Sequence, residues 1–402
     1  MSSVIPEGWS RIQIGDIGSF FGGLTGKTAK DFGDGHPFLT YMQVYSQQTS
    51  DMEAMNSVLI NEGEKQNTVA YGDVLFTTSS ETPDEIGMTD VFLGVNQTPY
   101  LNSFCFGLRP ITPSSIDPTF GKYVFRGDDF REDMRPLAQG STRFNLSKGN
   151  LAKLSLLIPS LPEQKKIASI LTSVDEVIEN TQKQIDKLQD LKKATMNELL
   201  TKGIGHTEFK DSELGRIPKS WEVVTLNEVT VNHDSKRVPI KSVDRQNIQG
   251  KYRYYGASGV IDYVEDYIFD GRYILLGEDG ENVLSRNLPL AFIVEGKFWV
   301  NNHAHILQPT ETVDIGFLCE YLESLDYKNI ASGSAQPKIT KSALSDIKVK
   351  LPSAGEQLKI IGVLSSIDKT IEPFRQKLSQ TQSLKKSLMQ DLLTGKVQVT
   401  VN

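Results

Sequence analysis

One framework is written twice in this chain, around different contents. Ile5-Pro6-Glu7-Gly8-Trp9 returns as Ile217-Pro218-Lys219-Ser220-Trp221, an offset of 212. Leu161-Pro162-Glu163-Gln164 through Leu199-Leu200-Thr201 returns as Ala354-Gly355-Glu356-Gln357 through Leu392-Leu393-Thr394, an offset of 193. The second middle is therefore 19 residues shorter than the first. Like sequences fold to like local structure, so the chain is predicted to be an internal repeat with a pseudo-two-fold relation and two unlike inserts. A frame of this kind holds two heads, each free to bind something different.

The repeated C-terminal segments carry the clearest periodicity. Ile167, Leu171, Val174, Ile178, Thr181, Ile185, Leu188, Lys192, Thr195 and Leu199 alternate steps of four and three. Ile360, Leu364, Ile367, Ile371, Phe374, Leu378, Thr381, Lys385, Leu388 and Leu392 do the same. This is an a/d seam sustained for about five heptads. Prolines (Pro159 and Pro162; Pro352) with Glu-Gln precede each seam, and Gly203 and Gly395 follow, as helix starts and stops require. Two long helices over about 163–201 and 356–394 are expected, packed on each other as an antiparallel coiled coil. Pro373 lies inside the second, where a kink is expected. Two ordinary amphipathic helices, each on its own domain, are the competing reading.

The middles read as strand-rich α+β domains. Val74–Thr78, Val91–Leu93 and Phe104–Leu108 are short β-prone runs in the first. Tyr252–Tyr255, Tyr273–Leu276, Leu290–Val294 and Phe298–Val300 are those of the second, with glycine, asparagine and proline between them. The fold class is thus α+β, with domains at 1–158 and 204–350, and spacer helices at 159–203 and 351–402. Lys202–Arg216 is polar and glycine-spaced and reads as the linker between halves.

Composition excludes several classes. The chain has 402 residues, 38% hydrophobic and 23% charged, which suits a soluble globular protein of several domains. No apolar run reaches the length of a membrane span, and residues 1–6 lack a signal-peptide pattern. Cys105 and Cys319 sit in different halves and read as buried small hydrophobes. A cytoplasmic location is expected. The net charge of −7 argues mildly against nucleic acid, whose binders usually carry a basic face, but net charge hides local patches.

Few side-chain clusters could carry chemistry. Asn301-Asn302-His303-Ala304-His305 is the densest polar one. Its histidines would point the same way on a strand, but no neighbour completes a metal set. Local turn bonding, or contact with DNA or with a neighbouring loop, are its readings. Two loops precede the seams at the same offset of 193, Gly140-Ser141-Thr142-Arg143-Phe144-Asn145 and Gly333-Ser334-Ala335-Gln336-Pro337-Lys338. Ser141, Thr142, Arg143, Asn145, Ser334, Gln336 and Lys338 supply the hydroxyls, amides and cations that bind phosphates and base edges. A solvated capping loop is the plainer alternative. Asp84-Glu85 and Glu278, Asp279 and Glu281 do not repeat between halves and read as solvated surface. Gly22-Gly23-Leu24-Thr25-Gly26-Lys27 lacks P-loop spacing. No nuclease, methyltransferase or nucleophile motif is present.

Taken in order, these motifs resemble the specificity subunit of type I restriction-modification systems. The carriers are Ile-Pro-x-x-Trp opening each half, Pro159–Ile167 with its copy at 352–360, and the Leu-Leu-Thr helix ends. Tyr254-Tyr255-Gly256-Ala257-Ser258-Gly259 and Trp299–His305 add to them. The resemblance covers nearly the whole chain. It implies two target recognition domains, each reading half of a bipartite, asymmetric DNA site, joined by spacer helices. Tyr254, Tyr255, Ser258, Asn301, Asn302 and His303 join the DNA-binding candidates on this ground. It also implies docking of two modification subunits that methylate adenine at N6 with S-adenosylmethionine, and of restriction subunits using ATP and Mg²⁺. The chain itself would then be non-catalytic, without cofactor or metal. Residues 221–350 hold 14 Lys and Arg against 18 Asp and Glu, a departure that points to DNA binding shared with partners. A coiled-coil adaptor without DNA specificity and a self-contained DNA-modifying enzyme are the alternatives.

Overall fold

The computed structural model describes residues 5–49, 55–111, 115–333 and 336–400. The chain divides into two compact units, residues 1–182 with 376–402 and residues 183–375. The division passes through both long helices rather than at their ends, where the sequence places its boundaries. No helix among the described residues is long and apolar enough to cross a membrane.

The first unit opens with a strand, Ser10–Gln13, paired antiparallel to Ser155–Ile158. Its main sheet orders Gly18–Gly22, Cys105–Pro110, Val74–Thr77 and Thr89–Val91, all antiparallel. Successive residues of a strand face opposite ways. Val74 and Phe76 therefore join Phe106 and Leu108 in a core with Phe120, Tyr123, Phe130 and Met134 of two short helices. Leu75 and Cys105 face a second cluster with Leu39, Val44 and Phe92. Burial pushes the Cys105 thiol well up, so it behaves as the small hydrophobe expected of it.

The second unit repeats the frame. Glu222–Thr225 pairs antiparallel with Lys348–Leu351. Its six-stranded sheet orders Thr230–Asn232, Ala304–Pro309, Phe269–Gly277, Ala291–Val300, Gln249–Gly256 and Gly259–Val264. The two runs expected at 290–294 and 298–300 form one strand, with Gly296 opposite Gly271 of its neighbour. Ile274, Leu276 and Leu307 face one core beside helix Ile315–Ser324, and Leu275, Ile306 and Phe298 face the other. The segment read as a linker is partly ordered: Phe209–Ser212 pairs with Gly215–Pro218 as a hairpin.

The heptad segments form helices Leu161–Lys202 and Ala354–Leu393, the second staying helical through Pro373. Every seam position named above is buried or half-buried. The seam lysines are paired. In the second unit Lys192 Nζ lies 2.8 Å from Asp368 and 2.9 Å from Glu320. In the first, Lys385 Nζ lies 2.6 Å from Asp175. Lys385 and Asp368 are the copies of Lys192 and Asp175 at the offset of 193, so the same pair is made in each unit with helices exchanged.

The glutamines of the repeat are also used alike. Gln164 accepts from Asp117 N at 2.8 Å and donates to Pro159 O at 3.0 Å. Gln357 accepts from Asp314 N at 2.7 Å and donates to Pro352 O at 3.0 Å. Both are buried. Replacing either with leucine strands a part-buried backbone donor and a buried acceptor, and should cost about 2–3 kcal/mol, read by denaturant unfolding of the whole chain. A loss below about 0.5 kcal/mol at both sites would contradict this role.

Within the second unit, Glu356 ties the end of the first helix to Trp221. Its Oε2 accepts from Trp221 Nε1 at 2.9 Å, and its Oε1 accepts from Ile204 N at 2.9 Å and His206 Nε2 at 2.8 Å. Gly203 makes the approach possible: its φ is +65°, and a Cβ there would sit 2.4 Å from Glu356 Oε1. The counterparts in the first unit, Trp9 and Glu163, are buried too, but Trp9 Nε1 and Glu163 Oε1 have no hydrogen-bond partner among the described residues.

Candidate nucleic-acid interface

The two loops singled out by their common offset are the same hairpin. Asn145 N donates to Gln139 O at 2.8 Å and Gln139 N to Asn145 O at 3.1 Å. Lys338 N donates to Ser332 O at 2.8 Å and Ser332 N to Lys338 O at 2.9 Å. Each hairpin is hung on the end of a central strand. Phe144 and Asn145 pair with Ser80 and Ser79, and Leu146 N donates to Thr78 O at 2.8 Å. Lys338 bridges to Asp279, and Ile339 N donates to Glu278 O at 2.8 Å. Ser141, Thr142, Arg143 and Asn145 are exposed on the first hairpin, and Gln336 and Lys338 on the second. Ser334 lies outside the described residues.

A turn flanks each hairpin on the same strand end. Asn301 is buried, and its Oδ1 accepts from His303 N at 2.8 Å, while His303 O accepts from Glu278 N at 2.8 Å. In the first unit Asn102 Oδ1 accepts from Phe104 N at 2.9 Å, and Phe104 O accepts from Thr78 N at 2.9 Å. The sequence marks Phe104 only as the start of a β-prone run and gives Asn102-Ser103 no role. Only the asparagine is shared with Asn301-Asn302-His303, and the offset is 199, outside the two frame offsets. A search for Asn two residues before an aromatic, at the start of a β-run, would have found both.

The scaffold is common, but the groups it presents differ. In the second unit the charges are internally matched. Glu278 takes Arg237 and Lys338, the latter at 2.9 Å, and Asp279 takes His303 Nδ1 at 2.8 Å. Burial pushes the Glu278 carboxyl up, but Arg237 and Lys338 outweigh it and hold it below the ordinary range. Lys338 is raised in turn, chiefly by its bond to Glu278. Beneath them His305 is fully buried, its Nδ1 2.6 Å from an Asp234 carboxylate oxygen and its Nε2 2.8 Å from Ile339 O. In the first unit Arg143 has a neutral setting: Nη2 donates to Ser79 Oγ at 3.1 Å and the guanidinium lies 5.4 Å from the Phe104 ring centroid.

Several site expectations are corrected. Tyr254 and Tyr255 are buried, because the C-terminal end of this strand is covered on both faces. The Tyr254 hydroxyl accepts from Ile240 N at 2.9 Å, and Tyr255 packs against Phe298. Neither side chain is presented at the surface. Asn301 shapes the turn rather than projecting from it. His303 sits in the turn and His305 on the strand, so one is exposed and one buried instead of sharing a face. Ser258, Asn302 and His303 are exposed as a contact role requires. Glu278 and Asp279, read as solvated surface, are the charges that organise the site.

The family description of the type I restriction modification DNA specificity domain matches residues 6–190 and 218–381, most of both halves. The chain belongs to the type I restriction-modification specificity family. Within this specificity family, the type I restriction enzyme MjaVIII specificity subunit of Methanocaldococcus jannaschii is 30% identical, over 98% of this chain and 94% of its own length. The MjaIX specificity subunit of the same organism is 24% identical, over 98% of this chain and 95% of its own. The crystal structure of a type I restriction-modification S subunit from M. genitalium superposes with a TM-score of 0.59 at 17% identity, covering 98% and 97% of the two chains. That specificity-subunit likeness concerns the fold. It agrees with a mixed helix-and-strand architecture in two domains.

Proposed function

We propose that this chain is the DNA-recognition subunit of a type I restriction-modification complex and reads a bipartite, asymmetric site, each unit taking one half. One observation carries the reading: the same hairpin and turn occur on the same strand end in both units, with unlike exposed residues. Identical scaffolds bearing Arg143 and Phe104 in one unit, and Lys338 and His303 in the other, suit two different base sequences. An adaptor without DNA specificity, or a self-contained enzyme, has no use for that division.

The long helices would pack as an antiparallel spacer that sets the distance between half-sites. The reciprocal Lys192–Asp368 and Lys385–Asp175 pairs support this reading. The outer face of the helices would dock two modification subunits, which bind S-adenosylmethionine and methylate adenine, with ATP- and Mg²⁺-dependent restriction subunits joining them. Leu191 and Leu384, copies of one another and each 52% exposed, support two equivalent docking points. The matched charges of the second hairpin support partner-assisted rather than autonomous DNA binding.

The test is an exchange. Replacing residues 15–158 with the corresponding segment of a relative should change one half of the methylated motif and leave the other intact, as read by sequencing methylated adenines. A change in both halves would refute independent reading.

A further inference from the structure

The first unit exposes a phenylalanine where exposure has no structural purpose. Phe104 is 53% accessible. Its backbone is nonetheless fixed by three hydrogen bonds: Phe104 N donates to Asn102 Oδ1, and Phe104 O accepts from Thr78 N and from Thr78 Oγ1, each at 2.9 Å. The ring is therefore held out by a rigid turn, not left out by a loose one. Arg143 reaches across from the hairpin, and the Ser79 bond fixes one end of its guanidinium fork. The equivalent place in the second unit also carries an aromatic ring, His303, which Asp279 orients. Both units thus place one oriented ring and one cation at the same strand end.

We propose that Phe104 and Arg143 form a single base-reading pair for the first half-site, Arg143 bonding guanine O6 and N7 in the major groove and the Phe104 ring packing on the methyl of an adjacent thymine. The planar fork of arginine matches the two guanine acceptors, and an apolar ring edge suits the one apolar group in the groove. Stacking on Phe104 limits the rotamers of Arg143, so the two act as a unit and should read neighbouring bases. Asn102 and Thr78 are positioning residues, which touch the turn and not the DNA.

This inference rests on the DNA-recognition reading, and the experiment separates the two. The complex of this chain with its modification subunits selects from a duplex library randomised over both half-sites. The unmodified complex should select a bipartite motif with adjacent guanine and thymine in one half. In Arg143→Ala the guanine position should relax by about 10- to 100-fold, with the other half-site unchanged. Arg143→Lys should recover only part of that selectivity. Phe104→Ala should relax the neighbouring thymine, and Phe104→His should change the preferred base there. Both side chains are exposed, so thermal midpoints should match the unmodified protein. The pair is overturned if Arg143→Ala weakens binding equally to all sequences, which marks a phosphate contact, or if every position stays as selective as before. It is also overturned if relaxed positions fall in both half-sites. Failure of the unmodified complex to select any bipartite motif would instead overturn the DNA-recognition reading itself.

Discussion

Glu356→Ala is expected to be the most damaging single change in the second unit. Three donors, the Trp221 indole, Ile204 N–H and the His206 ring, converge on this carboxylate at 2.8–2.9 Å. Trp221 is fully buried, so its N–H is left without an acceptor when the carboxylate goes. Loss of charge-assisted bonds plus a stranded donor should cost about 4 kcal/mol, or a fall of roughly 10 °C in the unfolding midpoint. Glu163→Ala removes the equivalent group where no such bonds occur among the described residues, and should cost about 1 kcal/mol or less. Equal losses at the two positions would contradict the assignment. A pH dependence follows as well. Burial raises the Glu356 carboxyl, but its bonds from Ile204, Trp221 and His206 outweigh this and leave it below the ordinary 4.5. A depressed carboxyl stabilises fully above its unfolded value and loses that contribution as pH falls through the folded one. Unfolding below about pH 4.5 should therefore steepen in the native chain and flatten in Glu356→Gln, as measured by denaturant midpoints across pH.

Lengthening both long helices by one heptad is expected to abolish recognition of the native site and create a new one. The insertions go after Gln182 and after Arg375, where the two units divide. Seven residues keep the 3.5-residue seam in register and add roughly 10.5 Å at 1.5 Å per residue. That is about three base pairs at about 3.4 Å each. Methylation sequencing should return the same half-site bases with a longer gap. An active variant that keeps the original gap would show that the helices dock partners without setting the distance.

The long helices were legible in the sequence because each turn repeats the same choice. Steps of three and four from Ile167 to Leu199 bind neighbours on one face, so local periodicity is enough. The antiparallel strand runs were mostly legible for the same reason, although 290–300 read as two because glycine ordinarily interrupts a strand. The frame copies were visible directly as repeated words. The hairpins around Arg143 and Lys338 were found only because they happen to share the frame's offset of 193.

What the chain alone determined, then, is the duplicated frame, its helices and the two strand-rich inserts, all encoded in contacts between near neighbours or in literal repetition. The tertiary structure decided which polar residues form the site. Tyr254 and Tyr255 were buried by layers on both faces of their sheet, which no two-residue pattern announces. The Asn102–Phe104 turn acquired its role through Thr78, 26 positions away, which also holds Leu146, 68 positions further along. Hydrogen bonds between such distant residues carry no period and no shared spelling in the two halves, so only the folded chain brings them together.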